Sequence, residues 1–134
     1  MQLGVAFLWK QQAFRFLGSY QLITETAKRP SLSVSAGVQG IGTGNPGFSA
    51  TLEKGFQQGP GRLVVFGGVG LRTNESHAHP VGGVKYTPDG RWTLGLQHDG
   101  HEGHPFLTFT QDQFIVGGYL IDFRRPALML GIKF

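Results

Sequence analysis

All five histidines of the chain fall in one stretch: His77 and His79, then His98, His101 and His104. Imidazole nitrogens ligate Zn, Cu or Ni, and Glu75, Asp99 and Glu102 stand close enough in sequence to add carboxylate oxygens. In extended chain the spacing His77-x-His79 places both rings on one face. His101-Glu102-Gly103-His104 lacks the helical His-Glu-x-x-His register of metalloproteases, so no hydrolytic zinc site is assigned. Two other readings stay open: histidines solvated in exposed loops, and a pH-responsive patch, because imidazole titrates between about pH 5 and 8. Ser76 adjoins His77, but neighbouring residues in extended chain point apart, and this is no nucleophile–base pair. No catalytic residue is assigned. The glycine-rich segment 40–47 has neither a following Lys-Ser/Thr nor a helix and is expected to be a flexible loop, not a phosphate cradle. Zn or Cu at the histidines is the one cofactor candidate.

Any such site depends on elements that bring residues 74–79 and 99–104 to the same place. At 134 residues the chain is one domain, 1–134. With 22 Gly, 11 Phe, 3 Tyr and 2 Trp against 15% charged residues, it disfavours helix, favours strands and leaves little to wet a soluble surface. No cysteine is present, so disulfides and thiolate metal sites are excluded. The net charge is +4, yet Lys and Arg are scattered without a run, which argues against nucleic-acid binding. No apolar stretch reaches the roughly eighteen residues of a membrane helix. Met1-Gln2-Leu3 opens directly into a strand pattern without a signal peptide, so export would require a leader already removed.

Period-two alternation runs through the chain and predicts about ten strands, over 3–9, 13–24, 31–40, 47–56, 62–72, 80–87, 91–98, 105–110, 113–122 and 127–134. In the third, Leu32, Val34, Ala36 and Val38 oppose Ser33, Ser35, Gly37 and Gln39; in the fourth, Lys54 is the only charge on the apolar face. The eighth is shorter than the nine to eleven or so residues of a spanning strand unless loop residues extend it. Connections 24–30, 57–61, 88–90 and 111–112 fall at one end with both termini, and 41–46, 74–79, 99–104 and 124–126 at the other. Pro88-Asp89-Gly90 is a tight-turn signal. Consecutive short connections imply an all-β, closed antiparallel up-and-down barrel, because closure removes exposed edges.

Which face is inside decides the class. The polar face is rich in Gly, Ser, Thr and Gln, which suits a crowded lumen better than a solvated exterior. The apolar face carries Trp9, Phe14, Phe48, Phe56, Tyr86, Trp92, Phe123 and Phe134 near strand ends, as interfacial girdles require. Turned outward, the apolar face makes a transmembrane barrel with lumen charges Arg15, Glu53, Arg72, Lys85, Asp122 and Lys133. Unpaired charge is costly in a narrow lumen, so Glu53 and Asp122 are expected to pair with Arg or Lys. About ten strands is just above the eight that side chains can fill, which favours a filled or very narrow lumen.

The last strand sharpens this expectation. Leu128, Leu130, Ile132 and Phe134 share one face, and the strand ends on the aromatic. This pattern resembles the C-terminal assembly signal of bacterial outer-membrane β-barrels, over the last eight residues. The resemblance implies residence in a Gram-negative outer membrane, with the bilayer and the barrel-assembly machinery as partners. The function expected is a scaffold or a narrow, porin-like channel. Two further readings remain: a soluble barrel holding an apolar ligand, and a barrel-embedded lipid-modifying enzyme.

Overall fold

The computed structural model describes residues 1–9, 12–38 and 46–134. Ten strands follow in chain order: β1 (Gln2–Leu8), β2 (Ala13–Ile23), β3 (Ser31–Val38), β4 (Pro46–Gln58), β5 (Gly61–Arg72), β6 (His79–Thr87), β7 (Trp92–His98), β8 (Gly103–Gln111), β9 (Phe114–Ile121) and β10 (Arg125–Lys133). Each is antiparallel to its sequence neighbour, and β1 pairs with β10 from Gln2↔Lys133 to Leu8↔Ala127, so the sheet closes into a barrel. The all-β closed barrel of ten strands is therefore as the alternation predicts. Gln39 and most of the glycine-rich 40–47 segment lie outside the described residues.

Strand bounds shift by one or two residues from expectation throughout, and two of these shifts bear on the candidate site. β8 begins at Gly103, because Gln97↔His104 and His98↔Gly103 extend the ladder into the histidine-rich segment, and the strand reaches nine residues. β9 stops at Ile121, where Asp122 and Phe123 take positive φ of 49° and 55° and turn the chain. Asp122 is thus a turn residue and not part of a strand.

The end that carries the termini has two two-residue turns, 59–60 and 112–113, alongside the longer 24–30 connection. Gly59 (φ 59°) and Asp112 (φ 54°) supply the left-handed conformations that two-residue hairpin loops need. Asp89 Oδ1 accepts the amides of Arg91 and Trp92 at 3.0 and 2.9 Å, closing the 88–91 turn. The amide of Phe134 donates to the Met1 carbonyl at 2.9 Å, completing the seam.

Side-chain polarity is inverted relative to a soluble barrel. Phe14, Phe16, Phe48, Phe114 and Leu130 point outward and are 57–79% exposed, whereas Arg72 and His104 point inward and are 5% and 2% exposed. Outward aromatics gather at both ends: Phe7 packs on Trp9 and Phe14 with ring centroids 5.1 and 5.0 Å apart, and Trp92 on Phe109 at 4.8 Å. The buried apolar set is small, Ala6, Leu8, Ile121 and Ala127, and Leu8, Ile121 and Ala127 pack with Tyr119 near the end opposite the termini. The wall between β6 and β7 is close: a Cβ on Gly83 would collide with the carbonyl of Leu96.

Candidate functional site

At the end of the barrel away from the termini, the 73–78 and 99–102 connections come together over Arg72, the last residue of β5. Asp99 organises this cap. Its Oδ2 lies 2.8 Å from Arg72 Nη2 and 3.1 Å from His104 Nε2, while Oδ1 accepts the amides of His101 and Glu102, both at 2.9 Å. Burial on its own would raise the Asp99 pKa. The His104 imidazole beside it and the Glu102 and His101 amides outweigh burial and hold the carboxyl well below the usual carboxylate range. The side chains of Arg72 and Asp99 are each 6% exposed, so this is a desolvated ion pair. Gly100 makes the tight path possible: its φ is 99°, and a Cβ there would stand 2.5 Å from His79 Cβ.

Above this pair sits a second layer. Glu75 Oε2 is 2.5 Å from His79 Nε2, and Glu75 Oε1 is 3.2 Å from His101 Nε2 and 3.5 Å from Arg72 Nη1. The three residues Glu75, His79 and His101 offer ligand atoms that all lie within 4.8 Å of one another. The rings of His79 and His101 pack at 4.2 Å between centroids with planes inclined by 58°, and His77 packs on His79 at 4.5 Å and 57°.

The five histidines thus do not form one site. His79 and His101 meet through Glu75. His104 faces inward to Asp99 and is buried, with Nδ1 accepting the Asp122 amide at 3.4 Å. His98 is exposed on the outer face of β7, its Nδ1 accepting the Gly100 amide at 3.1 Å, and His77 is exposed beside His79. Meander neighbourhood shows in the sequence; side-chain direction within the loops does not.

The expected lumen charges divide similarly. Glu53 pairs with Lys85 at 2.9 Å, and Lys85 Nζ lies 5.0 Å from the centre of the Phe66 ring. Arg15 faces inward and donates from Nη1 to the Phe14 carbonyl at 3.2 Å; its Nε is enclosed without a partner among the described residues. Lys133 shares the inward register but is exposed at the terminal rim, opposite Gln2. Asp122, in its turn, makes no ion pair among the described residues, so the pairing expected for it is absent there. Leu128, Leu130 and Phe134 point outward, 48%, 57% and 69% exposed, with Ile132 half-buried on the same face.

A polar cluster that the sequence does not reveal lies at the opposite rim. Glu25, in the 24–30 connection, accepts the Gly55 amide at 3.0 Å and pairs with Arg62 and Lys54, while Lys54 Nζ donates to the carbonyls of Thr26 and Ala27 at 2.7 and 3.0 Å. The one available signal was Lys54, a lone cation on an apolar strand face. These residues line an open recess of about 800 Å³. The Gly55 amide, with Arg62 and Lys54, holds the Glu25 carboxyl below its usual range despite desolvation. The tether is therefore complete above the ionisation range of an unfolded carboxyl and is lost as pH falls through the lower, folded value. Amide-exchange protection in residues 24–30, taken relative to the unfolded chain, is expected to fall as the pH drops below the ordinary carboxylate range, with no such step in Glu25→Gln; unchanged protection down to the acid limit of the native barrel would contradict this account.

No protein-family model matches the chain, and neither the curated proteins nor the solved structures provide a match to it.

Proposed function

We propose that the protein is a small bacterial outer-membrane β-barrel, with lipid against its apolar exterior and a polar lumen filled largely by its own side chains. In this reading it acts as a scaffold, or at most a very narrow channel, that displays the charged cap at one mouth. The observation that carries this is the inverted polarity: Phe16 is 79% exposed on the outside while Arg72 and Asp99 are 5% and 7% exposed within. In water such an exterior would drive association, because contiguous exposed apolar area is normally buried. In a bilayer it is matched to the solvent, and closure satisfies every strand edge, as a spanning sheet requires. Aromatic clusters at both ends, Phe7–Trp9–Phe14 and Trp92–Phe109, fit headgroup depth. The final strand, with Leu128, Leu130, Ile132 and Phe134 toward lipid, would be what the assembly machinery reads.

A filled lumen is favoured by the Arg72–Asp99–His104 cap, the Glu53–Lys85 pair and the Phe106–Tyr119 stack at 5.2 Å, which share the interior. Among the described residues the buried apolar side chains form one small cluster, Leu8, Ile121 and Ala127, which offers little for an apolar cargo to bind. Refolding is the deciding experiment. The chain should be monodisperse only with detergent or lipid, and planar bilayers should show no sustained open-channel current. A monodisperse, folded monomer in plain buffer would reject membrane residence, and steady conductance would reject the filled lumen.

A further inference from the structure

We propose that Glu75, His79 and His101 form a binding site for a borderline divalent transition-metal ion, Zn(II) or Cu(II), which ties the 73–78 and 99–102 connections together at the mouth of the barrel. Two imidazole nitrogens and one carboxylate are a donor set suited to Zn and Cu and poorly suited to Mg or Ca, which prefer all-oxygen ligation. The donors come from the 73–78 connection, the first residue of β6 and the 99–102 connection, and lie within 4.8 Å of one another.

The state of the atoms supports a cation here. Glu75 Oε2 and His79 Nε2 are closed off from solvent, face each other at 2.5 Å, and make no hydrogen bond with any described residue. Buried polar atoms are almost always satisfied, so this pair calls for a shared proton at its present separation or a metal ion once it opens. Tetrahedral ligands on zinc stand about 3.4 Å apart. The Glu75–His101 separation of 3.2 Å already fits that, and the Glu75–His79 separation needs an opening of roughly 1 Å, within reach of a Glu side-chain rotation.

The surroundings hold the donors in place. Arg72 Nη1 approaches Glu75 Oε1 at 3.5 Å, and Asp99 Oδ1 accepts the amide of His101 itself, so one buried ion pair orients a ligand from each loop. Arg72 does not repel the ion with an uncompensated charge, because Asp99 balances it at 2.8 Å; Glu75 then leaves the cluster net negative. The His101 side chain is 40% exposed, which provides entry from solvent and leaves a coordination position for water.

Calorimetric titration of the untagged full chain, refolded in detergent, with ZnCl₂ and with CuCl₂ tests the site. One ion per chain is expected, with MgCl₂ and CaCl₂ giving no saturable heat. His101→Ala and Glu75→Gln should each weaken binding by more than the roughly 10–100-fold that loss of an outer-shell contact costs, while His77→Ala and His98→Ala retain it. His101 and Glu75 lie in the cap, so both variants should keep the strand signal in circular dichroism. A Co(II)-loaded sample should show the intense visible absorption of a low-coordinate ion, lost in His101→Ala. Zinc binding that is equal in wild type and His101→Ala, or no saturable zinc or copper heat in wild type, would overturn the proposal and leave a proton between Glu75 and His79.

Discussion

Replacing Asp99 by Ala will destabilise the barrel by about 3–5 kcal/mol, the cost of stranding one member of a buried ion pair. Arg72 would lose its 2.8 Å partner while remaining 6% exposed at its side chain, and the amides of His101 and Glu102 would lose their common acceptor. The penalty is therefore largely one of abandonment: the guanidinium stays buried with only the longer 3.5 Å contact to Glu75 to offset its charge. A double variant, Arg72→Met with Asp99→Leu, should recover much of the loss, since well-packed apolar pairs often replace buried ion pairs without penalty. Urea midpoints in detergent micelles at constant slope give the comparison. An Asp99→Ala cost below about 1 kcal/mol would mean that water reaches the pair and that the cap is not a desolvated plug.

The second large effect concerns the exterior. Val84 lies at the middle of β6, 43% exposed on the outer face, with Val65 and Leu96 beside it on adjacent strands. In a bilayer, Val84→Arg should cost about 2–4 kcal/mol, because the charge stands near the midplane, whereas the same change at Leu3, close to a strand end, should cost no more than about 1 kcal/mol. The depth gradient is the signature, since in water both positions are surface sites where such a change moves stability by about 0.5 kcal/mol or less. Equal small effects at the two positions, measured by reversible unfolding in lipid vesicles, would remove the bilayer from the explanation.

The fold was legible because the alternation that specifies a strand also specifies a face, and ten alternating runs with short connections leave few topologies. Where alternation stopped being informative, expectation and structure part. Residues 103 and 104 join β8 through pairing with β7, a tertiary effect that a hydrophobic pattern centred on Pro105 to Thr110 does not register. Polarity places Asp122 in the lumen, yet β9 turns Phe114, Val116 and Leu120 outward and Ile121 inward, so alternation puts Asp122 on the outer register, and positive φ at Asp122 and Phe123 turns the chain there before any strand face applies. The site was legible at one level only. Adjacent hairpins bring the histidines to one mouth, but Glu75 between His79 and His101, and Asp99 beneath both, follow from hydrogen bonds that exist only once the loops meet. Glu25, Lys54 and Arg62 were hidden for the same reason, as they join a loop to two strands.

The β1–β10 ladder differs from the other nine pairings in the chain length it must bridge. Every other pairing joins consecutive strands and can form as a hairpin, whereas Gln2 meets Lys133 only after nearly the whole polypeptide is ordered. The entropy of that last loop closure is not repaid until its first hydrogen bonds form, so the rate-limiting barrier to folding should lie at this ladder. Until it forms, the chain is a ribbon with two open edges able to accept a strand from another molecule, so the danger of misassembly is concentrated in the interval before Phe134 finds Met1.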